Sequence, residues 1–185
     1  VFHDNPTYIN DFFSDLRGEY NSVFKQDKEK NLLSSMYLVK YEFQLLKQSL
    51  PLYYFYAIAT DKSVRNQGLA TSMIYESIWR GFIEKIGMAF LVPANHELID
   101  FYSNFGFAPW MYSNVTNYSC EKLERGESRI RLSECLHNKK IRISLIEVIK
   151  NSELAILPSE TLLDFWIQDT RNDGKVFYSI IQNEK

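Results

Sequence analysis

Apolar residues along this chain recur at two periods, and the switches between them mark out the elements. Ile9, Phe12, Phe13 and Leu16 stand at helical spacing between Pro6 and Tyr20, behind an Asn5–Pro6 pair suited to a cap and first turn, and predict an amphipathic helix. From Leu32 to Gln44, and again over "LYYFYAIA" (Leu52 to Ala59), β-formers dominate and predict neighbouring antiparallel strands. The second run is apolar almost throughout, as in a strand buried on both faces. After Gly68, Ala70, Met73, Ile74, Ile78, Phe82 and Ile86 follow a 3.6-residue rhythm with Glu76, Arg80 and Glu84 roughly opposite, so a helix is expected up to Gly87. A short apolar strand from Met88 to Val92 follows and is closed by Pro93. Strand, helix and strand in that order imply a right-handed crossover between parallel neighbours. Asn95 is placed to cap a second helix, "HELIDFYSNF", which stops at Gly106.

Beyond Tyr112 the pattern changes. Asn114 to Arg131 is polar and mixed in charge, Ile141 to Ile149 is apolar-patterned, Ser159 caps "ETLLDFWIQDTR", and the turn at Asp173 and Gly174 leads into "KVFYSII". This divides the chain into a unit over residues 1–112, a linker or irregular segment over 113–140 and a C-terminal appendage over 141–185. The 185 residues suit one good core plus such an appendage.

Composition narrows the function classes. Hydrophobic residues at 45% and charged residues at 24% are ordinary for a globular chain, while the aromatic share of 15% is high. A net charge of -2 gives no broad pull toward nucleic acid or an anionic membrane. No window approaches the roughly 20 consecutive apolar residues that span a bilayer, and the first residues lack signal-peptide order, so a cytoplasmic location is expected. The sequence begins at Val1 rather than at methionine, as a processed chain or one lacking its start does. Cys120 and Cys135 have no metal-ligand spacing and are expected as thiols, although one disulfide is possible. His3, His96 and His137 are scattered, and "HELID" carries Asp100 where a zinc protease needs its second histidine; no metal site is expected.

The stretch "RNQGLAT", Arg65 to Thr71, is the main candidate for chemistry. A glycine at a strand-to-helix junction lets a ligand approach the main chain, and the first turn behind it has unpaired N–H groups at the positive end of the helix dipole. Together with Arg65 and the Thr71 hydroxyl, these favour a phosphate or pyrophosphate. An ordinary capping turn has the same six letters from Arg65 to Ala70, so the segment alone leaves both readings open. The second glycine and Lys of a P-loop are absent, as are the three glycines of a dinucleotide fingerprint.

Leu52 to Phe107 resembles the GCN5-related N-acetyltransferase (GNAT) superfamily. Its central motif, Gln or Arg, two residues, Gly, one residue, then Gly or Ala, is matched by Arg65, Gly68 and Ala70 between a strand and a long helix. Asn95, Tyr102, Gly106 and Phe107 look like its second motif. The opening "FHDNPTYINDFF" and the tail from Leu157 look like a bacterial subgroup in which the acetyltransferase unit is followed by a second, related half, whose beginning the tail here would be. The resemblance implies an α/β (α+β) fold, with a mixed, mostly antiparallel sheet whose parallel strand pair splays apart and is flanked by helices. It implies acetyl-CoA as co-substrate, with Ile58, Ala59 and Thr60 as strand contacts to the pantetheine and Arg65, Asn66, Gln67, Gly68, Leu69, Ala70 and Thr71 around the pyrophosphate. Asn95 would bond the pantetheine, a strand amide near Ala59 or Thr60 would stabilise the oxyanion, and Tyr102 would be the general acid.

The implied activity is transfer of an acetyl group to an amine of a small molecule or peptide by direct attack. One departure stands out. The strand position nine residues before Arg65, where many members carry a glutamate, is Tyr56, and "YYFYAIA" has no carboxylate. A non-catalytic acyl-CoA-binding regulatory or scaffolding module is therefore the alternative, and an interaction domain using its aromatic excess a third reading. The acceptor site is expected among the N-terminal helix, the Lys47–Pro51 loop and the segment after Phe107, with Tyr53, Trp110 and Tyr112 as lining candidates that core packing would equally explain. Oligomeric state is left open.

Overall fold

The computed structural model describes residues 5–111 and 130–182, with side chains placed for 5–111 and 134–177. His3, Tyr112, Cys120 and most of the predicted linker lie outside the described residues. The first helix, α1 (Pro6–Asp15), begins where the sequence signals it: the Asn5 side chain accepts from the Thr7 amide at 2.9 Å. It ends sooner than expected. Gly18 at φ 96° turns the chain into a strand, β1 (Tyr20–Gln26), whose mixed letters "YNSVFKQ" give no clear period because it lies at the sheet edge and buries only Val23.

β1 pairs antiparallel with β2 (Leu32–Leu45), which pairs antiparallel with β3 (Gln48–Thr60). A short 3-10 turn (Lys62–Val64) and α2 (Leu69–Ile83) then carry the chain over one face to β4 (Met88–Phe90), parallel to β3 as the crossover predicts. α3 (Glu97–Ser103) follows, with the Asn95 side chain accepting from Leu98 N at 3.1 Å. This is the mixed, mostly antiparallel sheet with one parallel pair that the sequence implies.

The C-terminal segment supplies β5 (Ile130–Glu134), α4 (Asn138–Lys150), β6 (Leu154–Pro158), α5 (Glu160–Asn172) and β7 (Tyr178–Gln182). β5 and β7 pair with each other. β6 instead joins the main sheet: Tyr41 to Leu45 of β2 pair antiparallel with Leu154 to Pro158, so the long β2 holds β1 along its first half and β6 along its second. β6 is absent from the sequence reading because "LAILP" is too short to show a period beside a helical neighbour.

Two cores lie on the two faces of the sheet. Toward α2 and α3, Val23, Met36, Leu38, Tyr53, Phe55, Met73, Ile74 and Tyr102 pack together. Toward α1 and α5 the cluster is Phe12, Leu16, Val39, Tyr41, Phe43, Leu52, Leu162 and Phe165, so the aromatic excess is spent largely here. Ile78 and Phe82 correct the helical pattern of α2: the inward positions are Met73, Ile74, Ser77 and Gly81, and Phe82 is 73% exposed. No described helix is long and apolar enough to cross a membrane.

Two expectations follow. Phe165 packs edge-on to Phe12 at 6.1 Å and against Tyr8 at 5.5 Å, so Phe165→Ala is expected to cost about 3 kcal/mol in urea unfolding. A cost below about 1 kcal/mol would show that α5 is not part of the first core. Tyr53, buried and hydrogen-bonded to Glu84, has its pKa pushed up from 10.0 to about 12, first by desolvation and then by that carboxylate. A raised folded pKa means the folded form holds the proton longer, so this stabilisation is present below about pH 10 and lost as pH rises through about 12. Thermal melts across that window should fall more steeply for the native protein than for Tyr53→Phe; equal slopes would refute it.

Candidate functional site

The site begins with a break in strand pairing. β3 and β4 pair over three residues only, Leu52 with Met88, Tyr53 with Ala89 and Tyr54 with Phe90. The last rung is closed by stacking of the Tyr54 and Phe90 rings, 4.6 Å apart and 11° from parallel. β3 then runs on from Phe55 to Thr60 with β2 on one edge and no described strand on the other.

The cause is a bulge. Tyr37 opposes Tyr56 and Ser35 opposes Ala59, so β3 spends three steps where β2 spends two. Ala57, inside the bulge, sits at φ 52°, which costs a residue with a Cβ on the order of 1 kcal/mol. Such an insertion bends the strand and strengthens its twist, here turning β3 away from β4 just past their last pair. Beyond the bulge, β3 is held on the β2 side. The buried Ser34 hydroxyl donates to the Ala59 carbonyl at 2.8 Å and lies 2.8 Å from the Thr60 hydroxyl, while Asp61 N donates to Leu33 O at 2.9 Å. Ile58 from β3, Leu91 after β4 and Tyr102 of α3 meet in one apolar cluster beside this opening.

The glycine loop follows directly. Asp61 accepts from the Ser63 amide at 2.8 Å and from its hydroxyl at 2.5 Å; these bonds hold its carboxyl below the usual range. Arg65 donates through Nε to the Thr60 carbonyl at 3.2 Å, which ties the loop to the end of β3. Asn66 at φ 61° and Gly68 at φ 77° both take the left-handed conformation, so the chain reverses sharply into α2. Gly68 is the helix cap and supplies no side-chain bond, and the first helical bond to the cap runs from Ser72 N to Gly68 O at 2.9 Å. The amides of Leu69, Ala70 and Thr71 have no acceptor among the described residues. A Cβ added at Gly68 would meet nothing within 4 Å, so the glycine is required for its backbone angle and for access, and crowding plays no part.

Tyr102 is buried among Phe101, Phe107 and the α2-facing core, with ring centroids at 5.2 and 6.1 Å. Its hydroxyl makes no hydrogen bond among the described residues, and burial pushes its pKa up. The phenol therefore stays protonated at neutral pH, the state a proton donor needs. Asn95 uses its side-chain oxygen on the α3 cap, which leaves its amide nitrogen as the donor for a ligand.

Among the acceptor-site candidates, Tyr53 is excluded: it is 1% exposed, with its hydroxyl donated to Glu84. Trp110 is 60% exposed, with its ring 5.4 Å from that of Phe43. Tyr56 lies on the α1 side, its hydroxyl 3.0 Å from that of Tyr8. The sequence reading did not find that pairing, the bulge at Ala57 or the Ser34 anchor; only the missing carboxylate at Tyr56 marked the region. Two grooves of about 610 and 250 Å³ lie elsewhere, around α4, α5 and β6. In the larger, Arg142 is already engaged by Asp164 and by Glu160 at 3.5 Å, so it offers no free cation to an anion.

Comparisons with known proteins agree with this fold. A conserved protein from Enterococcus faecalis, taken for an N-acyltransferase, superposes with a TM-score of 0.64 at 12% identity over 88% of this chain and 42% of its own. A mutant of the BH1408 protein from Bacillus halodurans matches at TM-score 0.54 and 14% identity, over 63% of this chain and 76% of that one. Glucosamine-6-phosphate N-acetyltransferase from Arabidopsis thaliana matches at TM-score 0.50 and 10% identity, over 64% and 83%. At these identities the likeness is one of fold. Among curated proteins, none matches closely enough to count as a relative. The family model for the acetyltransferase (GNAT) domain matches residues 1–110, and the chain belongs to that family.

Proposed function

We propose that this protein binds acetyl-CoA along the open edge of β3 and transfers the acetyl group to an amine of a small molecule or peptide. The observation that carries this reading is the coincidence of the β3–β4 opening with bare helix-terminal amides at Gly68, joined by the Arg65 to Thr60 bond. Pantetheine is a chain of amides, and a strand edge without a partner is its natural complement. Ile58, Ala59 and Thr60 supply that edge, and the amide nitrogen of Asn95 a further donor. A pyrophosphate suits the segment Arg65, Asn66, Gln67, Gly68, Leu69, Ala70 and Thr71, where backbone N–H groups and the helix dipole favour anions.

Bound acetyl-CoA supplies the thioester carbonyl that a neutral amine attacks. The residues of the chain then have two tasks. A β3 amide near Ala59 or Thr60 stabilises charge on the carbonyl oxygen, held in place by Ser34 from the far side. Tyr102 gives its proton to the departing sulfur. No carboxylate stands at Tyr56, so the proton leaving the amine passes to water or to a residue outside the strand.

That same feature favours a second reading, an acyl-CoA-binding regulatory or scaffolding module, since the Tyr56 hydroxyl is turned to Tyr8 and the α1 side. We assign the cofactor-binding unit to residues 1–112, joined through 113–140 to a C-terminal part over 141–185 whose β6 and α5 also serve the first sheet and core. β7, paired with β5 of the connecting segment and apart from that sheet, fits the start of a second related half over 141–185. A cytoplasmic setting is consistent with this chemistry.

Isothermal titration with CoA and acetyl-CoA, beside thiol release over an amine panel, separates the readings; binding with no release on any amine would favour the module. Gly68→Val is expected to weaken CoA binding by about tenfold or more, since a β-branched residue resists φ 77° and covers the amides. An unchanged Kd would remove the loop from the site. Tyr102→Phe is expected to lower kcat by about 100-fold while leaving CoA affinity intact. With the native pKa raised above 10.0, the alkaline fall in kcat should lie beyond about pH 10. Equal turnover of the two proteins across pH would dismiss Tyr102 as the acid.

A further inference from the structure

α2 is apolar on two opposite sides, and the described residues cover only one of them. Met73, Ile74, Ser77 and Gly81 face the sheet and are buried. Tyr75, Ile78, Trp79, Phe82 and Ile83 repeat at the spacing i, i+3, i+4, i+7, i+8 and are 57, 40, 63, 73 and 63% exposed. They form a continuous outward stripe: the Trp79 and Phe82 rings stack at 5.5 Å, and Tyr75 meets Phe105 beyond α3 at 5.2 Å. A helix apolar all round belongs in a buried setting, and a contiguous patch of this kind on a monomer marks an interface.

We propose that the stripe is the interface of a homodimer in which two α2 helices pack antiparallel across a two-fold axis passing near Ile78. Self-complementarity supports a second copy as the occupant. Glu76 and Arg80 stand one turn apart on the same flank of the stripe. In an antiparallel pair the same flanks of the two helices meet while running in opposite directions. Glu76 of each protomer is thereby brought beside the partner's Arg80, giving two reciprocal ion pairs that fix register while the apolar stripe supplies the affinity. Glu76 already meets Lys25 at 2.7 Å and has its side chain 47% exposed, so it is held in place and still open to a second cation. The exposed parts of the five side chains amount to on the order of 600 Å² per protomer, close to the roughly 800 Å² per partner of a standard interface before rim residues are added.

The stripe starts at Tyr75, six residues and about 9 Å along the helix from Leu69, so pairing leaves the Gly68 loop open. Dimerisation and ligand binding are therefore separable, and this inference does not depend on the proposed acetyl-CoA site.

Sedimentation velocity from about 1 to about 100 µM is expected to show a monomer–dimer equilibrium for the native chain. Phe82→Glu should be monomeric throughout that range with an unchanged circular dichroism melt, because the replaced side chain lies outside the core. Glu76→Arg alone and Arg80→Glu alone should each weaken dimerisation at least tenfold, and the double exchange should restore it, which mere loss of apolar area would not do. A native chain that stays monomeric at about 100 µM overturns the proposal, as does a dimer untouched by Phe82→Glu. Flotation of a monomeric native chain with lipid vesicles, abolished by Phe82→Glu, would overturn it in favour of a membrane surface.

Discussion

The opening beside β3 depends on one extra residue. Ala57 sits at φ 52° between Tyr56 and Ile58, and just ahead of it β3 passes from a strand gripped on both edges to one that, among the described strands, β2 alone grips. Without that insertion, Tyr54 and Phe90 would be the middle of a longer parallel ladder, and the amides after them would be spent on β4. The strain at Ala57 is held in place by what surrounds it: the stacked Tyr54–Phe90 rung on one side of the bulge, and the Ser34 bonds to Ala59 and Thr60 on the other. Each of those contacts belongs to packing or to pairing. Their joint product is an open strand edge.

The two faces of the sheet are put to different uses around that edge. On the α2 side aliphatic and aromatic residues mix, with Met73 and Ile74 wholly buried against Met36 and Leu38, and the packing fixes the helix whose first turn carries the free amides. On the α1 side it is aromatic, with Tyr8, Tyr37, Tyr54 and Tyr56 half-buried around Phe12 and Phe165. Rings that are apolar in body and polar at the tip suit a surface that closes a core and meets a ligand together. α5 and β6 complete this second face, so the C-terminal segment contributes to the setting of the first unit's sheet even though its chemistry-bearing residues lie elsewhere.

What could be read beforehand follows from how local each signal is. The cap at Asn5, the turn at Gly68, the cap at Asn95 and the crossover from β3 to β4 are written within a few residues of themselves, and the GNAT motif is an ordered set of such signals. The two paired halves of β2 are not local: nothing in "YLVKYEF" says that its first residues will meet Asn21 and Ser22 and its last ones Leu157 and Ile156. The bulge is hidden for a related reason. Ala57 is an unremarkable letter in an apolar run, and its φ is imposed by the register on β2 at Ser35 and Tyr37, far along the chain. Sequence therefore located the glycine loop but not the cause of the opening next to it.

Ile78 and Phe82 show how a correct element can carry a wrong face. A 3.6-residue rhythm tells that a helix has an apolar side, but α2 has two, and a single pattern drawn through Met73, Ile74, Ile78 and Phe82 crosses from one to the other. Only the burial of Ser77 and Gly81 separates them: the small residues go inward, where a Cβ at Gly81 would approach the carbonyl of Ile86, in the return to β4, to 3.0 Å and the Tyr53 ring of β3 to 3.9 Å. Close approach on the inner side thus displaces the large side chains to the outer one. The outward stripe is a consequence of how tightly α2 is held above the strand edge, and a protein that seats this helix for its amides is left with an apolar surface to cover.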